Sequence, residues 1–148
     1  PDTMVRAALH ERQAHWLIDG VAMTPGAGVM LARLPDDRMV IGVPAEPRAA
    51  QAALLTVLPG VIASMRGRPM DDLPHAVLSA SAPYPEFLRN TRIFPIRLDG
   101  SADDPRAEPL AEDGPLGLGG WAMGDAFAIA TPGNGRTGDR VLLLTVPT

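Results

Sequence analysis

Two architectures in series are predicted for this chain: an α/β unit over residues 1–67, followed by a small all-β barrel or sandwich over 71–148. Three observations carry the prediction. The apolar runs Val29–Leu34 and Met39–Val43 flank the polar turn Pro35-Asp36-Asp37-Arg38, and the turn Pro44-Ala45-Glu46-Pro47 then opens a long Ala/Leu-rich segment. That is strand, tight turn, strand, helix. Beyond Pro74 the periodicity shortens to brief apolar runs separated by turn signals, the pattern of a small barrel or sandwich. Finally, the 16 prolines and 15 glycines sit at the ends of apolar runs, so they read as punctuation and not as a low-complexity block.

The elements follow in order. Asp2-Thr3 and the segment after it predict an N-capped amphipathic helix with Met4, Ala7, Ala8 and Leu9 on its apolar side. His15–Ile18 is a short strand or a helix exit, and Ala22–Gly28 is a loop. The next two strands are continuous apolar runs more than alternating ones, as expected of strands covered on both faces. Glu46 to Met65 predicts a helix, with Glu46 at its positive end, Pro47 in its first turn, Arg66 at its C-terminal end and Gly67 as its stop. Leu54, Leu55, Leu58, Val61, Ile62 and Met65 recur at helical spacing and are expected to face the core; Pro59 is expected to kink the helix.

Arg68–Pro74 is a linker by composition. His75–Ser81 and Arg92–Leu98 predict strands, the second demoted to an edge or bulged strand by Pro95. The acidic, Pro-rich Ser101–Gly114 predicts a loop. Trp121–Thr131, the turn Pro132–Gly135 and Arg140–Val146 complete the expected all-β unit.

The 46% hydrophobic content suffices for a core, but aromatics make up only 4%, so that core must come from Val, Leu, Ile, Ala and Met. A net charge of −4 without a basic run argues against nucleic acid, because phosphate neutralisation needs a cationic surface. The absence of cysteine removes disulfides, thiolate nucleophiles and Cys-held metals, and fits a cytoplasmic protein. No apolar run approaches the roughly 18 residues of a membrane span, so no membrane partner is expected. The chain begins at Pro1 without an initiator Met and reads as part of a longer protein.

Thr24-Pro25-Gly26-Ala27-Gly28 before one strand and Gly42-Val43-Pro44-Ala45-Glu46-Pro47 before the long helix resemble the molybdopterin molybdenumtransferase family (MoeA and the gephyrin E domain). That family places a Lys-Pro-Gly-Lys-Pro turn and a Gly-Leu-Pro-Gly-Asn-Pro turn at these points. Its "Ala-Asn-Gly-hydrophobic" and "Gly-Glu-x-Val-x-Val" strands correspond to Gly117–Ile129 and Thr137–Leu143. The resemblance implies that residues 1–67 are the C-terminal half of a three-layer molybdopterin-binding α/β domain, and that 71–148 are the family's small C-terminal β-barrel. It also implies a homodimer and, in the complete family protein, molybdopterin, molybdate and Mg.

By the same resemblance the ligand-binding residues are Pro25, Gly26, Gly28, Gly42, Pro44, Ala45, Glu46 and Pro47, with no metal ligand in this chain and no catalytic residue assigned. Thr24 and Ala27 stand where the family has lysines, and Ala45-Glu46 where it has Gly-Asn. Two cations are lost and one anion gained, which opposes anion binding. The family's Thr-Ser-Gly-Gly-x-Ser phosphate-site stretch would lie upstream of Pro1.

The residues alone leave these turns open to two readings: plain strand-to-helix connections, or a ligand cradle at a helix N-terminus. Other chemistry is not supported. His10, His15 and His75 are scattered, and Ser79 and Ser81 lack a His/Asp partner pattern. Asp36-Asp37, Asp71-Asp72 and Asp103-Asp104 read as solvated turns, and Arg89, Arg92 and Arg97 as a solvated face. Trp16 and Trp121 are packing anchors or interface residues. Two functions are therefore expected as alternatives: a part of a molybdenum cofactor biosynthesis protein, not a complete enzyme alone, or a dimerisation module that kept the fold and lost the chemistry.

Overall fold

The computed structural model describes residues 2–83, 89–113 and 117–145, without the side chain of Asp2. Helix α1 (Asp2–Glu11) leads into strand β1 (His15–Asp19), the two-residue β2 (Met23–Thr24), β3 (Met30–Arg33) and β4 (Met39–Gly42). Helix α2 (Pro47–Met65) and the irregular linker follow, then β5 (His75–Leu78), β6 (Thr91–Gly100), β7 (Pro105–Pro109), α3 (Gly119–Met123), β8 (Ala126–Ala130) and β9 (Arg140–Leu144).

Strands β1, β3 and β4 form an antiparallel sheet in the order β1-β3-β4. The β3–β4 hairpin turns over three residues, with Asp37 at φ 65 closing it and Leu34 N–H donating to the Arg38 carbonyl at 2.8 Å. This is a type I turn followed by a left-handed residue. On one face Trp16, Ala32 and Val40 lie in register and take Leu9 of α1. The predicted apolar side of α1 is corrected: Leu9 is buried, whereas Met4 is 78% exposed and Ala7 and Ala8 also face solvent. Only one turn of this short helix meets the sheet.

The second sheet runs β2-β6-β7-β5-β9-β8, and an additional β6–β8 pairing closes five of these strands into a barrel. Alternation along its strands puts Leu78, Phe94, Ile96, Ala107, Ala128, Val141 and Leu143 inside. Many interior positions are alanine because so narrow a barrel has room for few large side chains. Three expectations are corrected. β6 is neither an edge nor bulged: it pairs with β7 and β8, and Pro95 is accepted because its carbonyl takes the Leu110 N–H at 3.0 Å. Its donorless nitrogen thus faces the end of β7, where the ladder stops. The Ser101–Gly114 segment, expected to be a loop, contains β7, and the Trp121 end of the expected Trp121–Thr131 strand is the helix α3. Gly114 and Val146 lie outside the described residues.

Residues on both sides of the linker share one cluster. Met23 and Ala52 pack with Ile93, Trp121, Phe127 and Leu144 on the outside of the barrel, and β2 runs parallel to β6 from Thr91. The Trp121 and Phe127 rings lie 4.9 Å apart. The predicted core face of α2 is corrected in part: Val61 is buried and Leu55 packs against this cluster as expected, but the other four predicted residues face outward. Ala49, Ala52, Ala53 and Val61 are buried, while Leu54, Leu58 and Ile62 are 36–39% exposed and Met65 is 71% exposed. Those four outward residues fall within roughly 80° of the helix circumference at 3.6 residues per turn. Small side chains let α2 approach the loop and the barrel closely; the leucine spacing marks an apolar face but does not say which apolar face points inward.

This partly corrected face has a direct test in urea unfolding. Leu58→Ala is expected to lower stability by less than about 1 kcal/mol, because little buried volume is removed. Ala53→Leu is expected to lower it by about 1–3 kcal/mol through overpacking. The opposite order would place the leucine face inside.

Candidate functional site

The two turns singled out by sequence meet at the N-terminus of α2. The Gly20–Val29 loop is held by backbone bonds from Gly20 N–H to the Val29 carbonyl (3.0 Å), Val21 N–H to Ala27 (3.0 Å) and Val29 N–H to Gly26 (3.1 Å), and its Thr24-Pro25 peptide is cis. Gly26 is buried at φ 109, and a Cβ there would stand 2.5 Å from the Met23 methyl and 3.3 Å from the Ala49 carbonyl of α2. A Cβ on Gly28 would lie 3.8 Å from the Pro44 ring. Pro25, Gly42 and Pro44 are half-buried, whereas Gly28, Ala45, Glu46 and Pro47 are exposed.

Glu46 dominates the electrostatics. In extended conformation (φ −74, ψ 127) it is the N-cap of α2, and its carboxylate accepts from Arg48 N–H (3.2 Å) and Ala49 N–H (2.8 Å). The Glu46 carbonyl takes the Ala50 N–H at 2.9 Å. Pro47 has no N–H, so every donor in the first turn is satisfied by the chain itself. The chain's own carboxylate thus occupies the position where a helix N-terminus would hold an external anion.

Arg48, which the sequence reading did not select, completes the arrangement. Its Nε donates to Glu46 Oε1 at 2.9 Å and its Nη1 to Glu112 Oε2 at 3.1 Å. Glu112 also lies 4.0 Å from Arg92. Gly117 (φ 66) leaves room for the guanidinium, since a Cβ there would stand 3.1 Å from Nη1. Hydrogen bonding from Arg48, reinforced by the Ala49 and Arg48 backbone N–H groups, holds the Glu46 carboxyl below its ordinary value of 4.5. The two carboxylates in turn raise the Arg48 pKa, Glu46 contributing most. Arg48 was invisible by sequence because Glu112 is 64 residues away.

The remaining sequence candidates do not converge. The three histidines sit on α1, β1 and β5. Ser79 bonds the Ala107 carbonyl and Ser81 meets Thr137. Asp36 and Asp104 are bonded to Arg38 and Arg106. Among the described residues no group of three His, Asp or Glu could hold a metal ion. Arg92 and Arg97 point to opposite faces of β6, and Arg97 pairs with Glu108 at 3.8 Å. Trp16 packs in the α1 cluster with Arg6 5.4 Å over its ring, and Trp121 in the barrel-side cluster; its Nε1–H is buried without a partner.

No protein-family model and no curated protein matches the chain by sequence. Solved structures do. A molybdopterin biosynthesis MoeA protein from Pyrococcus horikoshii superposes with a TM-score of 0.65 at 19% identity, over 96% of this chain and 35% of that one. A second MoeA structure from the same organism gives 0.65 at 13% identity, over 99% and 40%. The fold is that of the C-terminal part of MoeA. The chain therefore spans about two-fifths or less of the MoeA chains it matches. In this MoeA-like frame the Gly20–Val29 loop and the Gly42–Pro47 turn flank the start of α2.

Two variants test the site's construction. Glu46→Ala is expected to lower stability at neutral pH by about 0.5–2 kcal/mol, the usual loss of a helix cap, with the Arg48 pair adding little because Glu46 is 43% exposed. Because the folded carboxyl titrates below 4.5, its contribution is present above that pH and is lost as the pH falls through the folded value. The difference between wild type and variant should therefore shrink below about pH 4.5, as urea midpoints at neutral and acidic pH will read. Gly26→Ala is expected to lower the thermal midpoint through about 1–3 kcal/mol of backbone strain.

Proposed function

We propose that this chain is the C-terminal region of a MoeA-type, cytoplasmic molybdenum cofactor biosynthesis protein and supplies one wall of its molybdopterin site. The observation that carries the reading is the meeting of the 25–28 and 42–47 turns at the start of α2, within a fold that matches MoeA over 96% of the chain. In this reading, residues 1–67 are the C-terminal half of a three-layer α/β domain. Insertion of molybdate into adenylylated molybdopterin, the chemistry of the resembled transferases, belongs to the complete protein. Pro25, Gly26, Gly28, Gly42, Pro44 and Ala45 shape the wall, and Arg48 is the cation nearest the helix N-terminus.

Among the described residues no group of three His, Asp or Glu could hold a metal ion, so any Mg of the complete protein would draw on ligands beyond this set. The described residues fit a phosphate-bearing pterin only once Glu46 has left the Arg48 and Ala49 N–H groups, because both carboxylate oxygens are engaged there. Glu46→Asn keeps a capping side chain and removes the charge. The deciding experiment is a molybdopterin titration followed by pterin fluorescence, with wild type and Glu46→Asn in parallel. Binding by either protein supports the reading, and binding only by the variant identifies Glu46 as the residue that closes the site. If neither binds, even with the complete protein's upstream region present, the ligand reading is lost.

A second reading, a non-catalytic homodimerisation module, is favoured by a different observation. Nine of the eleven strongly exposed large apolar side chains among the described residues precede residue 71: Met4, Val5, Leu17, Val43, Leu54, Leu58, Ile62, Met65 and Met70. Only Leu98 and Met123 follow. Against the expectation that no apolar run approaches a membrane span, α2 is long and apolar enough by length and composition to cross a membrane, with 19 residues and a mean hydropathy of 1.3. Its alanine face, however, packs against the barrel-side cluster, so we assign its outer face to protein contact. Sedimentation equilibrium at micromolar concentration should then show a dimer that Leu58→Glu weakens; a monomeric wild type would remove this reading.

A further inference from the structure

No further inference is drawn: the strongest candidate, the outward apolar stripe Leu54, Leu58, Ile62 and Met65 on α2, is an unpartnered helix face that already serves the second reading above, and nothing in the structure shows which surface covers it.

Discussion

The close approach of α2 to the Gly20–Val29 loop, with Ala52 reaching the cluster on the outside of the barrel, is the constraint on which the candidate site depends. Ala49 and Ala52 bring the helix close to Gly26 of the loop, and Ala52 also packs in the cluster of Trp121 and Phe127. With α2 fixed there, glycine is favoured at position 26, because its φ of 109 would strain any side chain and a Cβ would stand 3.3 Å from the Ala49 carbonyl. The same placement brings Arg48 to Glu112, joining the start of the helix to the segment that follows β7. Besides the β2–β6 pairing, one apolar seam and one ion pair hold the first sixty-odd residues to the barrel. The seam is the stronger of the two, since Arg48 is 30% exposed and such pairs contribute little in water.

Much of this architecture was legible in the sequence, for identifiable reasons. The β3–turn–β4–α2 order was readable because Pro, Asp and Gly mark local backbone geometry, which sequence encodes directly. The helix stop was equally local: Gly67 at φ 63 accompanies a bond from Arg68 N–H to the Ala63 carbonyl at 3.0 Å. What was not legible depends on partners distant in the chain. The leucine spacing of α2 announces an apolar face, but only the position of the barrel makes the alanine face the inner one. Strand β7 lies in an acidic, proline-rich stretch and exists because β6 and β5 are there to pair with it. Pro95 likewise sits in a doubly paired strand because its neighbour's ladder ends where its N–H would be needed.

The candidate site divides in the same way. The two turns were found by their Gly and Pro residues, and the structure brings them to one helix end. Arg48 was missed, because its significance lies in Glu112 and Gly117 and not in its immediate neighbours. Glu46 was recognised as an unfavourable charge for an incoming anion. Its geometry makes that opposition stronger than charge alone would, since it also occupies the donors an anion would need.

Scaffold and chemistry are separable at this helix start for a physical reason. An N-cap must satisfy the first-turn N–H groups, and any short acceptor side chain can do so. An anion-binding N-terminus has the opposite requirement: its donors must stay available, so the residue there must be small or readily displaced. Glu46 serves the first requirement at the expense of the second, and the Arg48–Glu112 contact anchors the arginine that holds it in place. The fold therefore survives with its turns intact whether or not an anion binds. Similarity of fold at 19% identity thus coexists with a helix start whose donors are taken by the chain's own carboxylate.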